Sequence, residues 1–437
     1  MFQNYLKIAF RNFAKHKTYS FINVAGLAVG MACCFLLFLF IWNEWSYDGF
    51  NERADDIYRL GIELEQSDGS VDYQNMMYPE FTDELVQAYP SIDRATRLVQ
   101  AEVDFKVGSD FFRYDLAEVD APFFKIFSFP LLAGDPTTVL LDRNSIVISD
   151  EVAKSFFGLE EGHFDQAIGK TVSAVGGDQS FDFTVTGVMR HAPNNSSIQF
   201  DAAISFENYD PIRLGGNNWR GRTSTYVLLP EGASREDMER SLAPFVKTQF
   251  AEYFEALRAN EMLADGDDAY HMFLQPLRHL HREPDVWVPY EQPPFDPQYG
   301  FILAGIGLLV LLIACINFMT LSVGRSASRT REVGMRKALG AQRLQLMKQF
   351  WGEAVIMTAV ALLIGLLLTV VLLPLFNDLT NQNLSFAIVT PAGVAVSLFL
   401  VLAVVGVVAG GYPAVLLSRF QPAEVLKGKN PRTGRQG

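Results

Sequence analysis

Residues 21–42 read FINVAGLAVGMACCFLLFLFIW, twenty-two positions without a charge. At about 1.5 Å of rise per residue, a helix of that length covers roughly 33 Å, enough to cross a hydrocarbon layer of about 30 Å. A secretory leader has an apolar run of about 7–15 residues closed by a small-residue cleavage site. Here the run continues through Leu36, Leu37, Phe38, Leu39 and Phe40, so it is read as a retained anchor. Three further spans follow at about 299–321, 351–375 and 391–417, with Glu353 at the edge of one and Asp378 just past its end. The expected fold class is a membrane protein with four transmembrane α-helices, one plus three. A large extracytoplasmic domain, 43–298, lies between the first and the second.

Composition agrees. Across 437 residues the chain is 49% hydrophobic and 19% charged, with a mean hydropathy of +0.13. Soluble domains carry about 25% charge, and the same figures exclude disordered, collagen-like and disulfide-rich classes. The net charge of −13 excludes nucleic acid as a partner of the chain as a whole. Charge is segregated along the chain. Residues 1–20 hold four Lys or Arg and no acid, 322–350 hold seven against Glu332, and 418–437 hold five against Glu424. Residues 43–298 hold 20 basic and 45 acidic groups. Because basic loops stay in the cytosol, both termini and the 322–350 loop are expected there, and 43–298 outside. Phe2, Leu6, Ala9, Phe10 and Phe13 form one stripe opposite Lys7, Arg11 and Lys15, the pattern of an amphipathic helix lying on the bilayer. Cys33, Cys34 and Cys315 all fall within spans, which leaves the outer domain without a disulfide framework.

Gly26, Gly30 and Cys34 put small residues on one face of the first span, a helix-packing seam that could also serve as a subunit interface. No ionisable residue lies near a span centre. Ion channels and secondary transporters place such residues in the membrane, so a conduction path through these helices is not expected.

The cytosolic stretch Arg329-Thr330-Arg331-Glu332-Val333-Gly334-Met335-Arg336-Lys337-Ala338-Leu339-Gly340-Ala341 resembles the signature of FtsX/MacB-type permease subunits of ABC transporters. Gln349-Phe350 with Glu353-Ala354, Gly411-Tyr412-Pro413-Ala414 with Pro422-Ala423-Glu424-Val425-Leu426, and Ala9-Phe10-Arg11-Asn12 are similar to further motifs of that family, in the same order. Physically, Met335 and Leu339 share a helix face flanked by Arg336 and Lys337, and Gly334 and Gly340 bracket the turn. With the resemblance, Arg331, Glu332, Gly334, Met335, Arg336, Lys337, Leu339 and Gly340 are expected to form a coupling helix that docks on a cytosolic ATPase.

The ATPase itself is not expected in this chain. Gly169-Lys170-Thr171 mimics the end of a phosphate loop, but Phe164 stands where the first glycine is required, and the segment is extracytoplasmic. The resemblance implies a partner subunit that binds ATP and Mg, no cofactor here, and a non-catalytic role. It further implies a bacterial inner-membrane location, with 43–298 periplasmic, and mechanotransmission for efflux of peptides or antimicrobials or for lipoprotein handling. A second permease half is implied as well, a homodimer first and a heterodimer next, together with the bilayer and periplasmic or outer-membrane proteins as further partners. The competing reading is a membrane sensory receptor with a periplasmic ligand-binding domain.

In the outer domain, 181–188 and 223–229 read as strands and 80–89 and 235–257 as helices, an α+β mixture. Asp120-Ala121-Pro122-Phe123-Phe124, Ile168-Gly169-Lys170-Thr171-Val172 and Pro193-Asn194-Asn195-Ser196-Ser197-Ile198 resemble the MacB-type periplasmic core domain. His279 and His281 on one strand face, with His271, could supply zinc ligands, but no Cys or carboxylate cluster completes a site, and no metal is expected. Asp265-Gly266-Asp267-Asp268 lacks the order of a calcium loop. Phe111, Phe112, Phe123, Phe124, Phe127 and Phe129 are expected as core. No constellation of catalytic residues is present in a supporting context.

Overall fold

The computed structural model describes residues 17–107, 110–176, 179–208, 222–266, 269–288, 291–324, 342–386 and 398–407, with Met335, Gly393, Val396 and Gly411. The N-terminal amphipathic stripe and the 412–437 tail lie outside the described residues, as does the 325–341 loop apart from Met335. Two units emerge, residues 1–45 with 298–437, and 46–297.

The first unit is helical. Helix α1 spans Lys17–Trp45. Among the described residues, three helices are long and apolar enough to cross a membrane, Ser20–Trp45, Pro297–Gly324 and Leu344–Thr380, and a shorter apolar helix, Leu398–Val407, falls within the fourth expected span. One span therefore precedes the α+β domain and the others follow it. Lipid tails are as apolar as leucine, so helices in a bilayer associate through close packing of small residues. A Cβ on Gly30 would sit 2.8 Å from the Ala314 Cβ, and one on Gly365 only 3.0 Å from the Ala28 carbonyl oxygen. The first span thus lies against both the second and the third. Leu27, Met31, Phe35, Cys315, Phe318, Met357 and Ala361 fill the space around these contacts.

The second unit is an α+β domain on one mixed sheet. Its strands are β1 (Ile57–Glu65), β2 (Val71–Gln74), β3 (Arg94–Val107), β4 (Asp110–Val119), β5 (Leu131–Ala133), β6 (Ser145–Ser149), β7 (Thr171–Gly176), β8 (Gln179–Met189), β9 (Ala202–Ser205), β10 (Ser224–Leu228) and β11 (Tyr270–Pro276). The order is β11-β1-β10-β3-β4-β9-β6-β8-β5, with β2 on β1 and with β7 bridging β3 and β8. That bridge closes β3, β4, β9, β6, β8 and β7 into a six-stranded ring.

Side chains alternate across a strand, and the cores follow that alternation. Leu98, Ala117, Val119, Val147, Ala203 and Tyr226 project to one face, where Phe123, Phe127, Phe129 and Phe200 join them. The opposite face carries two separate cores. Phe105, Leu116, Ile146, Ile148, Phe183 and Ile204 fill the ring, which helix Asp150–Phe157 caps with Val152 and Phe156. Leu60, Ile62, Val227 and Leu274 pack beneath helices Phe81–Ala88, Arg235–Gln249 and Ala251–Ala259. The single helix expected over 235–257 divides at Phe250 (φ −104°, ψ 13°). The break seats Phe250 against Phe81 and Phe254 against Tyr270, with centroids 5.7 and 3.7 Å apart. Glu239 on the first of these helices accepts the Leu274 N–H at 2.8 Å and so blocks an otherwise open sheet edge. Phe123, Phe124, Phe127 and Phe129 are buried as expected; Phe111 is 59% exposed.

The Gly30 contact has a direct test. Gly30→Ala overpacks the seam and should cost about 1–3 kcal/mol, seen as a lower melting temperature in detergent. Adding Ala314→Gly should restore most of the loss.

Candidate coupling junction

The α+β domain joins the spans through two connectors, one beginning at Ser46 and the other ending at Pro297. Both are held by the loop 193–198. Asp48, 1% exposed, accepts hydrogen bonds from the Ser197 N–H (2.9 Å) and hydroxyl (2.5 Å). Its own N–H donates to the Asn195 carbonyl at 2.8 Å. The Asn195 amide donates to the Ser46 carbonyl (3.1 Å) and hydroxyl (3.0 Å). From the other connector, the Gln292 N–H donates to the Ser197 carbonyl at 3.1 Å. His281 makes a second bridge. Tyr47 stacks on its ring, with centroids 3.4 Å apart and planes 2° apart, and the Phe295 N–H donates to its carbonyl at 2.7 Å.

A buried ion pair fixes the second connector to the sheet. The Arg59 guanidinium on β1 donates to Glu291 at 2.5 Å and to Gln275 on β11 at 2.6 Å, and also to the Val286 carbonyl. The Tyr226 hydroxyl on β10 donates to the same Glu291 oxygen at 2.7 Å. The Asn75 amide adds a 2.6 Å bond to the Val286 carbonyl. Arg59 and Glu291 are both inaccessible to solvent, with side-chain exposures of 1% and 2%. Burial pushes the Asp48 carboxyl up to about 7, against hydrogen bonds from Ser197 and Ser196, and the Glu291 charge adds to the rise.

Residues 20–245, more than half of the chain, match the family described as MacB-like periplasmic core domain. Residues 304–422 match the family described as FtsX-like permease C-terminal. The chain belongs to the MacB/FtsX family of ABC transporter permeases. It is 32% identical over 128 residues to the macrolide export ATP-binding/permease protein MacB of Bdellovibrio bacteriovorus, a match covering 29% of this chain and 19% of that protein. It is 30% identical over 137 residues to the ABC transporter permease YvrN of Bacillus subtilis, covering 31% and 32%. The matches therefore span a fifth to a third of these relatives' length. Among solved structures, the periplasmic region of MacB from Actinobacillus actinomycetemcomitans is similar over 52% of this chain and 92% of that one, at 15% identity and a TM-score of 0.34.

Within this permease the residues singled out from sequence fall as follows. Arg331, Glu332, Gly334, Arg336, Lys337, Leu339 and Gly340 lie outside the described residues; Met335 is helical and 57% exposed. Gly26, Gly30 and Cys34 face the second span of the same chain. A Cβ on Gly26 would lie 3.2 Å from the Asn317 amide, Gly30 meets Ala314, and the Cys34 thiol donates to the Gly307 carbonyl at 3.1 Å. The histidines do not share a strand face, because residues Leu277–Arg282 form 3-10 turns rather than a strand. There His279 pairs with Glu283 at 3.1 Å, His271 on β11 lies 3.5 Å from Glu63, and His281 is buried under Tyr47. Among the described residues no group of three His, Cys, Asp or Glu is arranged for a metal. Lys170 lies over the Phe157 ring at 4.4 Å, just past a turn at Gly169 (φ +80°).

Sequence reading missed Asp48, Arg59 and Glu291. One signal was available: Arg59 shares a strand face with Ile57, opposite Leu60 and Ile62, and on a strand apolar on both faces a charge points inward only with a partner.

Two outcomes follow from the buried charges. Arg59→Ala strands the Glu291 carboxylate and should cost about 3–5 kcal/mol of the α+β domain's stability, measured by denaturant titration. Because the closed junction holds the Asp48 proton more tightly than the opened chain, junction stability is greatest at low pH. It falls as pH rises from 3.8 toward about 7 and is flat above. Hydrogen exchange at Ser196 and Ser197, corrected for intrinsic rate, should therefore speed up between about pH 5 and pH 7. Asp48→Asn should remove that dependence.

Proposed function

We propose that this permease transmits ATP-driven motion rather than conducting a solute through its own helices. A cytosolic ABC ATPase on a partner chain binds ATP and Mg and docks on the coupling segment 331–340. Its closure moves the spans, and the outer domain rearranges in response. In this reading both termini are cytosolic, the outer domain is periplasmic, and the working unit contains two permease halves, a pair of identical chains being the simplest. The cargo class is peptide or antimicrobial efflux, or lipoprotein handling, with periplasmic or outer-membrane proteins as further partners.

The observation that supports it is the junction. A single loop, 193–198, is bonded to the connector leaving the first span and to the connector leading into the second. Displacement of one connector against the other must therefore strain that loop or carry it along. A passive anchor has no need for a buried carboxylate at this place. The absence of ionisable residues near the span centres supports the same reading.

The test is purification from native membranes in mild detergent. An ABC ATPase should co-purify, with stimulated ATP turnover. The double variant Arg336→Ala, Leu339→Ala should drop turnover to the unstimulated level while the melting temperature stays unchanged. Full stimulation in that variant overturns the coupling assignment. If no ATPase is recovered even after crosslinking through the loop, the receptor reading takes its place.

A further inference from the structure

Within the spans, the Ser20 hydroxyl, both amide atoms of Asn23 and the Thr358 hydroxyl are buried without a hydrogen-bond partner among the described residues. The three residues are 3%, 1% and 0% exposed. Hydrocarbon offers such atoms nothing, so leaving them bare is costly. A threonine in a helix can turn its hydroxyl onto the carbonyl four residues earlier. Thr320, Thr369 and Thr380 do so, onto Ile316, Gly365 and Phe376 at 2.8, 2.9 and 2.8 Å. Thr358 does not.

These groups stand at one depth. The first and third spans run parallel: Gly365 meets Ala28, and the Asn43 amide donates to the Gln382 side chain at 3.4 Å. Thr358 lies two turns before Gly365 on the same face. It is therefore level with Phe21, two turns before Ala28. Ser20 and Asn23 flank that position and neighbour each other on the helix surface at i and i+3. Asn23 is also two turns before Gly30, on the face that meets the second span. There the Asn317 amide nitrogen would be 3.2 Å from a Cβ on Gly26, and Asn317 is exposed. On the fourth span, the Gly406 carbonyl accepts from the Trp351 ring at 3.1 Å. That register sets Val401 and Leu402 at the depth of Thr358, and neither side chain can answer a hydroxyl.

We propose that Ser20, Asn23 and Thr358 bind a small cluster of water molecules within the spans, which exchanges with bulk water past Asn317. Water both donates and accepts, as this mixture of hydroxyl and amide groups requires. No carboxylate is among these groups to neutralise a cation. Bound water trades its hydrogen bonds as helices slide, whereas the Gly30–Ala314 and Gly365–Ala28 contacts leave no room for it. The layer therefore lets the Lys17 end of the first span shift about a fixed, dry seam. The site does not depend on the proposed function.

The test is radiolytic footprinting of the full chain in lipid nanodiscs, in water labelled with heavy oxygen. Met357, beside Thr358, and Met31, in the seam, are both buried, which makes them target and control. A hydroxyl radical made from bound water oxidises the side chain next to it. Met357 should therefore gain labelled oxygen several times faster than Met31. In the double variant Asn23→Leu, Thr358→Val it should fall to the Met31 rate. Thr358→Val alone keeps the shape of the side chain. A dry orphan hydroxyl is relieved by that change and the melting temperature rises; a hydrated one loses a bond and the temperature falls. We expect the fall. The proposal is overturned by equally slow labelling of the two methionines, by fast labelling of Met357 that survives in the folded double variant, or by a rise in melting temperature for Thr358→Val.

Discussion

Asp48, Arg59 and Glu291 are three ionisable groups removed from water in a domain that has no disulfide to hold it. Removing a charge from water costs several kcal/mol unless partners replace the lost hydration. Every partner here comes from a different part of the chain. Ser196 and Ser197 come from the loop after β8, Gln275 from β11, Tyr226 from β10 and the Val286 carbonyl from the last turns before the second connector. These hydrogen bonds form only when all those segments are in place. The junction is therefore a requirement on the whole domain and not a local clasp.

The packing beneath explains how that requirement spreads. Ala192 and Ile198 flank the loop, and Leu277 and Leu280 lie in the turns that carry His281; all four belong to the aromatic core built on Phe123, Phe127 and Phe129. That core spans one face of the sheet from β1 to β8, whereas the opposite face is split into the ring core and the helix-covered core. Close-packed interiors do not deform continuously. Strain at the junction therefore reaches both halves of the sheet through a single layer of side chains, in which Phe123 alone touches Phe124, Phe127, Phe129 and Phe200.

The spans were legible in the sequence because apolar length and charge bias are one-dimensional signals. The run at 21–42 and the run within Pro297–Gly324 needed no tertiary information. Strands 181–188 and 223–229 were legible for the same reason, their alternation being local. What sequence could not show was pairing across distance. Asp48 and Ser197 are separated by 149 residues and Arg59 and Glu291 by 232, and an isolated Asp or Glu in an acidic domain reads as a solvated charge. The histidines were placed on a strand face for a related reason. Strand and 3-10 spacing are similar over three residues, and only the stack on Tyr47 distinguishes a packed ring from a ligand. The break at Phe250 was hidden because propensity is continuous there and the bend is imposed by the aromatic contacts it creates.

A buried ion pair is weak evidence for stability, since an apolar replacement of like volume is often neutral or better. What it supplies is a penalty for the wrong arrangement. If Glu291 leaves Arg59, both charges remain in a water-poor interior; if it stays, the second connector is fixed against β1, β10 and β11 together. An apolar contact would tolerate sliding, because burial is non-directional. A guanidinium that holds Glu291, Gln275 and a backbone carbonyl at once tolerates almost none. The seam in the first span works by a parallel logic, with Gly30 and Gly365 admitting only one depth of approach. Each unit thus carries contacts that reject intermediate positions, the small-residue seam among the spans and the buried ion pair on the sheet.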